Sequence, residues 1–267
     1  MQETLGRSAE ADRSSRVIRS GLTEVLAAFV GMQSLAVLGS ADSAGLIWAS
    51  AVTGPPGFAK GTGPHSLSLA LDRERLPLPL SLRIGDGPFE IGLLFPDGRT
   101  RLRLRVNGIA RSTARGIAIE TTQVFTNCPG RLRRRTGPAR PPLACGPTSS
   151  GESLTPDQQA WITAADTFFI ATASDTGAAD ASHRGGDPGF VEVLSPTELM
   201  WPEYPGNSML MTLGNLVLNP RAGALFLDER TGTTLQLTGT AHVLLTDGEP
   251  RVRFEITRVV QRGREQE

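Results

Sequence analysis

The chain has 267 residues and carries 27 basic and 27 acidic side chains, so its formal net charge at neutral pH is zero. This balance argues against a nucleic-acid partner and against attraction to an anionic membrane surface, since both need a basic face. A hydrophobic share of 39% and a charged share of 20% predict a packed core, and the length allows one large domain or two of ordinary size.

Cysteine usage and N-terminal composition bear on the compartment. Cys128 and Cys145 are the only cysteines, and they form neither a Cys-x-x-Cys pair nor a zinc set with a nearby histidine. Two free thiols are therefore favoured over a disulfide. Residues 1–20 lack the apolar core of a signal peptide, and polar residues break the apolar stretch 22–41, which favours a helix and a strand over a membrane span. We expect a cytoplasmic protein with no metal site and no membrane partner.

The first half is predicted to be a helix followed by strands. Residues 1–14 have the composition of a disordered tail, and apolar residues recur at helical spacing over about 15–31. Asp97 and Gly98 predict a hairpin turn. Apolar or alternating runs predict strands at about 34–41, 45–52, 66–71, 89–95, 101–111 and 116–125.

One of these strands carries a row of arginines. Arg101, Arg103 and Arg105 alternate with apolar residues, which places three guanidiniums on one face of the strand. A solvated face is the favoured interpretation of such a row. A rim that faces an anionic ligand is the alternative.

The second half opens after a linker over residues 128–153, which is rich in arginine, proline, glycine and serine. Thr155 and Gln158 form a capping-box signature for a helix that runs to about Ala165. Further strands are expected near 167–174, 179–184, 190–194, 198–202, 222–228, 233–245 and 251–260. About six strands in each half, with little helix, indicate a compact barrel in each.

The two halves repeat one another. Residues 42–58 and 175–190 share a pattern, and a second block from Gly92 to Ala110 matches the block from Gly223 to Ala241. Unrelated segments of this length would share roughly one or two identities, so the repeat indicates an internal duplication of domain size. In the first pattern, Gly45, Ala49, Ser50, Gly54, Pro56, Gly57 and Phe58 match Gly177, Ala181, Ser182, Gly186, Pro188, Gly189 and Phe190.

The second copy of the pattern carries three polar side chains in a row, Ser182, His183 and Arg184, beside Gly185 and Gly186. A hydroxyl, an imidazole and a guanidinium suit a bound oxyanion, because arginine supplies a planar fork of donors and glycine lets a ligand approach the backbone. A solvated strand end with a salt-bridging arginine is the alternative. The first copy has no guanidinium in this row, so its site is expected to have decayed.

A second helix, predicted from Ser208 to about Leu218, adds to this hypothesis. Asn207 is its expected N-cap, and a helix N-terminus offers unpaired N–H groups to a phosphate. Thr212 and Asn215 are three residues apart and share a face of the helix. They fit either ordinary surface positions or a ligand site, and the nearby Ser-His-Arg row favours the ligand site. No catalytic residue is assigned, because the chain has no P-loop, no Gly-x-Gly-x-x-Gly after a strand and no nucleophile-elbow serine.

These motifs resemble the pyridoxamine 5′-phosphate oxidase-like family, in particular the long, internally duplicated branch of that flavin-binding split-barrel superfamily. The resemblance covers about residues 20–245. It rests on Asp-Ala-Ser-His-Arg-Gly-Gly-Asp-Pro-Gly-Phe at 180–190, Tyr-Pro-Gly-Asn-Ser-Met at 204–209, Thr-Leu-Gly-Asn-Leu at 212–216 and Asn-Pro-Arg-Ala-Gly at 219–223.

The resemblance implies a mainly β (α+β) fold, a tandem duplicated split β-barrel that forms a pseudo-dimer within one chain. The implied halves are 15–127, with a degenerate cofactor site, and 154–262, with the main flavin-binding motifs. The implied cofactor is flavin mononucleotide (FMN), and deazaflavin or haem is the alternative. Further dimerisation is possible, and the implied partner is a small-molecule substrate or a redox partner. The cofactor-binding candidates are Ser182, His183, Arg184, Asn207, Thr212 and Asn215.

The sequence also departs from the family. Single-barrel relatives usually place a lysine on the flavin phosphate, and Asn207 lies near that position here. Phe254 to Glu267 lack the Trp and Arg-x-His run that authentic pyridoxamine phosphate oxidases use on substrate. The resemblance therefore implies a flavin-dependent oxidoreductase of unknown substrate that is not an authentic pyridoxamine phosphate oxidase. A non-catalytic flavin-binding or haem-binding protein is the alternative.

Overall fold

A computed structural model describes most of the chain, and its strands form two antiparallel sheets. The described residues are 15–72, 76–77, 87–127, 132, 134, 142–144, 146, 148–204, 210–246 and 248–263. The helices are α1 (Glu24–Gly31), α2 (Pro156–Ala164) and α3 (Met211–Leu218). The strands are β1 (Leu35–Ala41), β2 (Ile47–Thr53), β3 (Ala59–Gly63), β4 (Ser66–Ala70), β5 (Phe89–Asp97), β6 (Leu102–Thr113), β7 (Gly116–Asn127), β8 (Thr148–Gly151), β9 (Thr167–Ala173), β10 (Ala179–Gly185), β11 (Glu192–Ser195), β12 (Glu198–Pro202), β13 (Arg221–Leu227), β14 (Thr234–Thr246) and β15 (Glu249–Arg262).

The two sheets have the same strand order. The first runs β2-β1-β5-β6-β7-β4-β3, and the second runs β10-β9-β13-β14-β15-β12-β11, with β8 added beside β15. Each strand of the first sheet therefore has a counterpart at the same place in the second. The mainly β fold is confirmed, and the two sheets fit the duplicated arrangement that the sequence repeat predicts.

The strand predictions were accurate where apolar runs are long and missed two short strands. β9 and β10 lie within one residue of their predicted bounds. β3 was not predicted, because glycines break its apolar pattern. β8 lies inside the segment predicted as a linker, and its four exposed residues carry no hydrophobic signal. Both strands form by pairing with a neighbour, β3 with β4 and β8 with β15.

The first helix is shorter than its periodicity predicted. It begins after Thr23, whose side chain accepts a hydrogen bond from the backbone N–H of Leu26. Arg19, inside the predicted helix, instead pairs with Val124 on β7 through two backbone hydrogen bonds of 3.0 and 2.6 Å. The second helix has the predicted capping box, with Thr155 and Gln158 satisfying each other's backbone N–H groups.

Three apolar clusters hold the molecule together. Each half has its own core, one around α1 and the first sheet and one around α2, α3 and the second sheet. The third cluster contains buried residues of both halves, among them Val37, Leu94, Phe169 and Leu225. The halves therefore share a continuous apolar interface, as a pseudo-dimer requires.

Two glycines at equivalent places allow this close packing. A Cβ on Gly92 of β5 would lie 2.4 Å from the Cα of Asp180 on β10. A Cβ on Gly223 of β13 would lie 2.7 Å from the Cα of Trp48 on β2. Real Cβ atoms do not approach this closely, so any larger residue would push the two halves apart.

Candidate functional site

Strand β10 carries the predicted Ser-His-Arg row to the boundary between the halves, where it lies beside β5 and β6 of the first half. Ser182 is buried, and its hydroxyl lies 3.4 Å from the carboxylate of Asp180 on the same face of the strand. The hydroxyl of Thr212 on α3 lies 3.1 Å from that of Ser182. The helix N-terminus and the Ser-His-Arg strand are therefore brought together, as the sequence predicted.

Asp180 is the carboxylate around which this boundary is built. It forms an ion pair with Arg105 of β6, and both side chains are almost fully buried, at 3% exposure for Arg105 and 2% for Asp180. The side-chain amide of Asn107, also on β6, lies 3.3 Å from the same carboxylate. Burying both charges of an ion pair costs desolvation free energy, which the contact between them and further hydrogen bonds must offset. Asn107 and Ser182 supply those hydrogen bonds here.

His183 points to a second arginine of the first half. The Nδ1 atom of His183 lies 3.2 Å from the Nη1 atom of Arg103. A guanidinium has only donors, so Nδ1 must be the acceptor in this contact. The edge of the imidazole also packs against the ring of Phe169, at 5.8 Å between centroids.

The hydrogen bonding of Arg184 is incomplete among the described residues. Its Nε atom lies 2.5 Å from Glu203, in an ion pair with 10% and 4% of the two side chains exposed, and its Nη1 bonds to the carbonyl of His183. Its Nη2 atom is buried and has no hydrogen-bond partner in the part of the chain that the structure describes. A buried N–H of a cation without an acceptor costs free energy, so this position is suited to an anionic ligand.

Two further buried polar atoms nearby lack a partner among the described residues, the Nε of Arg105 and the Oδ1 of Asn107. The guanidinium of Arg105 lies over the ring of Phe125 on β7, at 4.9 Å from its centroid, and its Nη2 is 3.6 Å from the sulfur of Met211. These contacts fix the guanidinium in place and leave its Nε unused.

The helix candidates have mixed outcomes. α3 begins at Met211, after Leu210 in a left-handed conformation with no side-chain cap bond, so the predicted start at Ser208 with Asn207 as N-cap is wrong. Asn207 itself lies outside the described residues. Asn215 donates a hydrogen bond of 3.0 Å to Thr172 on β9. Thr212 and Asn215 thus share a face as predicted, and their polar groups attach the helix to β9 and β10.

The arginine row is not the solvated face that the sequence favoured. Arg105 is buried and Arg103 is half-buried, because the other half of the chain covers this part of β6. Arg101 lies at the edge, where its Nε donates to the carbonyl of Leu132. A single strand cannot reveal that its polar face packs against another half of the same chain, which is why the solvated interpretation was wrong.

Asp180 and Glu203 were missed as site residues, although Asp180 stood inside the quoted motif. An aspartate in the middle of a strand is unusual, because aspartate disfavours strands and a buried carboxylate needs a partner. That signal could have identified Asp180 from the sequence. Nothing comparable marks Glu203, whose role depends on β12 ending beside β10.

The structure contains no group of three or more metal-ligating side chains among its described residues. Across the same residues, none of the helices has the length and apolar character needed to cross a bilayer. Cys128 and Cys145 lie outside the described residues, so the free-thiol prediction stays a prediction.

The family described as pyridoxamine 5′-phosphate oxidase matches residues 154–266. A search of curated proteins finds no significant match.

Solved structures similar to this chain align with about two fifths of it and with most of their own length. A putative pyridoxamine 5′-phosphate oxidase from Lactobacillus delbrueckii is 19% identical, covers 40% of this chain and 93% of its own, and has a TM-score of 0.33. An FMN-binding protein from Syntrophomonas wolfei is 8% identical over 39% and 82%, with a TM-score of 0.31. HutZ, a haem storage protein from Vibrio cholerae, is 12% identical over 42% and 97%, with a TM-score of 0.32.

The match of the family over residues 154–266 includes every motif of the second half that suggested the resemblance. The strand order repeated in the first half fits a second copy of the same fold. The resemblance inferred from the motifs is therefore confirmed over the second half of the chain, where residues 154–266 match the pyridoxamine 5′-phosphate oxidase family.

Proposed function

We propose that this chain is a flavin-binding redox protein, with FMN held where β10 of the second half meets β6 of the first. The observation that supports this most directly is the buried Nη2 of Arg184, a cationic donor with no acceptor among the described residues. The terminal phosphate of FMN would supply that acceptor, since guanidinium and phosphate form short, charge-assisted hydrogen bonds. The residues present therefore fit the phosphate.

The surrounding groups support the same position. The first turn of α3 lies against Ser182 through Thr212. The side chain of its N-cap residue, Leu210, makes no capping hydrogen bond, so the backbone N–H groups of this turn can face an anion. His183, Arg103 and Arg105 line the same boundary between the halves. Single-barrel members of the family hold their flavin between two subunits, and here one chain supplies both sides.

The chemistry of such a protein belongs to the flavin, which transfers a hydride or electrons when bound. The side chains of this chain bind and orient it and set the electrostatics around it. No described residue is assigned as a general acid or base. The substrate or redox partner is proposed only as a small molecule or a protein that reaches the flavin at this boundary.

The test measures flavin released per mole of purified chain, together with the absorbance spectrum, which separates FMN from deazaflavin and haem. Wild type is expected to carry about one flavin per chain, and Arg184→Ala should lose about ten- to a hundredfold in affinity. Val52→Ala, at the equivalent place in the first half, is the matched control and should keep its flavin.

Arg184→Ala also leaves Glu203 without its cation, so the variant could lose flavin simply by unfolding. Two further variants separate these effects. Arg184→Gln combined with Glu203→Gln removes both charges and should still lose flavin while remaining folded. Glu203→Gln alone keeps the guanidinium and should retain flavin. Full occupancy in the folded double variant would show that the phosphate lies elsewhere, for example on the arginine row of β6.

A further inference from the structure

The second boundary between the halves contains a cavity of about 520 Å³. It lies where β2 of the first half faces β14 and β15 of the second, which is the place equivalent to the Ser-His-Arg boundary under the repeat. Residues 142–144 and 76–77 also line it. A volume of this size lies within the range of about 300–1,000 Å³ that is usual for small-molecule sites.

The cavity exists because large side chains of one boundary are replaced by small ones at the other. The register of β1 and β2 against β9 and β10 places Ala51 where the second half has His183, and Val52 where it has Arg184. Removing an imidazole and a guanidinium leaves room that backbone packing alone cannot close, because the sheets on both sides keep the same framework.

The strands that face β2 across this boundary also have smaller side chains than their counterparts in the first half. On β14 and β15, the register places Gln236 and Val260 opposite one another, where β6 and β7 have Arg105 and Phe125. Thr234 likewise stands at the position of Arg103. Each change removes volume, and two of them remove a positive charge.

The floor of this cavity offers few free donors to a phosphate. The side-chain amide of Gln236 donates to the carbonyl of Ala49 and to the hydroxyl of Ser50, each at 2.9 Å. Both of its N–H groups are therefore used inside the protein. Aliphatic side chains and prolines form much of the rest of the wall, including Val52, Leu143 and Val260.

Among the described residues that line the cavity, one is a cation. Arg262, half-buried near the end of β15, is bonded through its Nε to Thr148 at 3.5 Å. Its two terminal nitrogens make no hydrogen bond to the residues that the structure covers. The acidic residue of the lining, Asp72, is exposed, so water screens its charge more effectively than that of Arg262.

We propose that this cavity is a second ligand site, distinct from the flavin site, for an amphiphilic carboxylic acid. The apolar body of the ligand would fill the space left by the missing imidazole and guanidinium, and its carboxylate would bond to the terminal nitrogens of Arg262. The apolar wall supplies most of the affinity, and the single guanidinium selects an acid over a neutral analogue.

The experiment uses the full chain with its bound flavin and the fluorescent probe 1-anilinonaphthalene-8-sulfonate, displaced by decanoate or by methyl decanoate. Wild type should bind the probe. Decanoate should displace the probe at a lower concentration than methyl decanoate does. Arg262→Gln should lower the affinity for decanoate about tenfold and leave the affinity for the ester unchanged. Arg253→Gln, at an exposed arginine of the same strand, is the matched control and should behave as wild type.

A second variant fills the space directly. Ala51→Leu should abolish displaceable probe binding and keep the flavin, because the leucine occupies the cavity and lies away from Arg184. Loss of flavin from this variant while it remains folded would place the flavin in this cavity and overturn the proposal. Equal displacement by acid and ester, or no displaceable probe on wild type, would overturn it as well. Arg262→Gln keeps the test decisive if Ala51→Leu does not fold.

Discussion

At one boundary between the halves β10 faces β6, and at the other β2 faces β14, with the same strand order on both sides. The first boundary contains the ion pairs of Arg105 with Asp180 and of Arg184 with Glu203. The second has Gln236 bonded to neutral groups and a cavity with an apolar wall. One framework thus carries a charged boundary and an apolar one.

This difference is one that an internal duplication would permit. In a symmetric homodimer, both sites change together, because one sequence supplies both. In a fused chain each copy can change alone, so one boundary can keep the donors for an anionic cofactor while the other loses them. The shared apolar cluster around Phe169 and Leu225 holds the two halves in place whatever the side chains at either boundary.

The largest expected loss of stability comes from removing one partner of a buried ion pair at the charged boundary. Asp180→Ala leaves the guanidinium of Arg105 buried without its carboxylate, which should lower the free energy of unfolding by about 3–5 kcal/mol. At the apolar boundary, Gln236→Leu removes only neutral hydrogen bonds and should cost about 1–3 kcal/mol. Urea denaturation of both variants measures the difference.

A double variant checks the reason for that effect. Asp180→Leu with Arg105→Met removes both charges and keeps apolar volume, so it should recover much of the stability that Asp180→Ala loses. A smaller cost for Asp180→Ala than for Gln236→Leu would contradict the contrast between the two boundaries.

Substituting the glycines at which the two halves pack closely should cost an intermediate amount of stability. This cost should be equal at both boundaries, because equivalent strands form them. Gly92→Ala and Gly223→Ala each place a Cβ within 2.4 to 2.7 Å of backbone atoms of the opposite half. We expect each to cost about 1–3 kcal/mol through overpacking. Thermal denaturation of both variants tests this, with Gly214→Ala as the control. A Cβ on this helical glycine meets nothing within 4 Å, so that variant should be as stable as wild type or more so.

The smallest effect lies outside both boundaries, in the turn between β13 and β14. Burial raises the pKa of Asp228, but hydrogen bonds from Thr231 and from the backbone N–H of Arg230 outweigh burial, so the pKa lies below its ordinary value of 3.8. Because the folded pKa is depressed, the carboxylate stabilises the fold above about pH 4, and this contribution is lost as the pH falls through the folded pKa.

The corresponding variant is Asp228→Asn. Its stability deficit relative to wild type, measured by urea denaturation, should be present at about pH 6 and shrink toward about pH 2. Asp228 lies in a turn and is partly open to solvent, so the deficit should be small. A deficit that stays constant with pH would show that the carboxylate acts in the turn through geometry and not through its charge.

Much of the fold could be predicted from local patterns. The capping box at Thr155 and the β9–β10 hairpin with its turn at Gly177 follow from residues close in sequence, and both are observed. The length of α1 could not be predicted, because backbone pairing of Arg19 with β7 competes with the helical periodicity. Ser182 and Thr212 were predicted only as candidates for one cofactor site, and their hydroxyls lie 3.1 Å apart, whereas Glu203 as the partner of Arg184 was not foreseeable.

The sequence by itself determined the repeat, the family resemblance of residues 154–266 and the position of the Ser-His-Arg row, because these depend on residue identity and spacing along the chain. Only the tertiary structure decided how each guanidinium is paired, because each partner comes from another part of the chain: Asp180 on β10 for Arg105, and Glu203 after β12 for Arg184. It also decided that the first-half copy borders a cavity. A cavity depends on the volumes of side chains from both halves together, which no single segment contains.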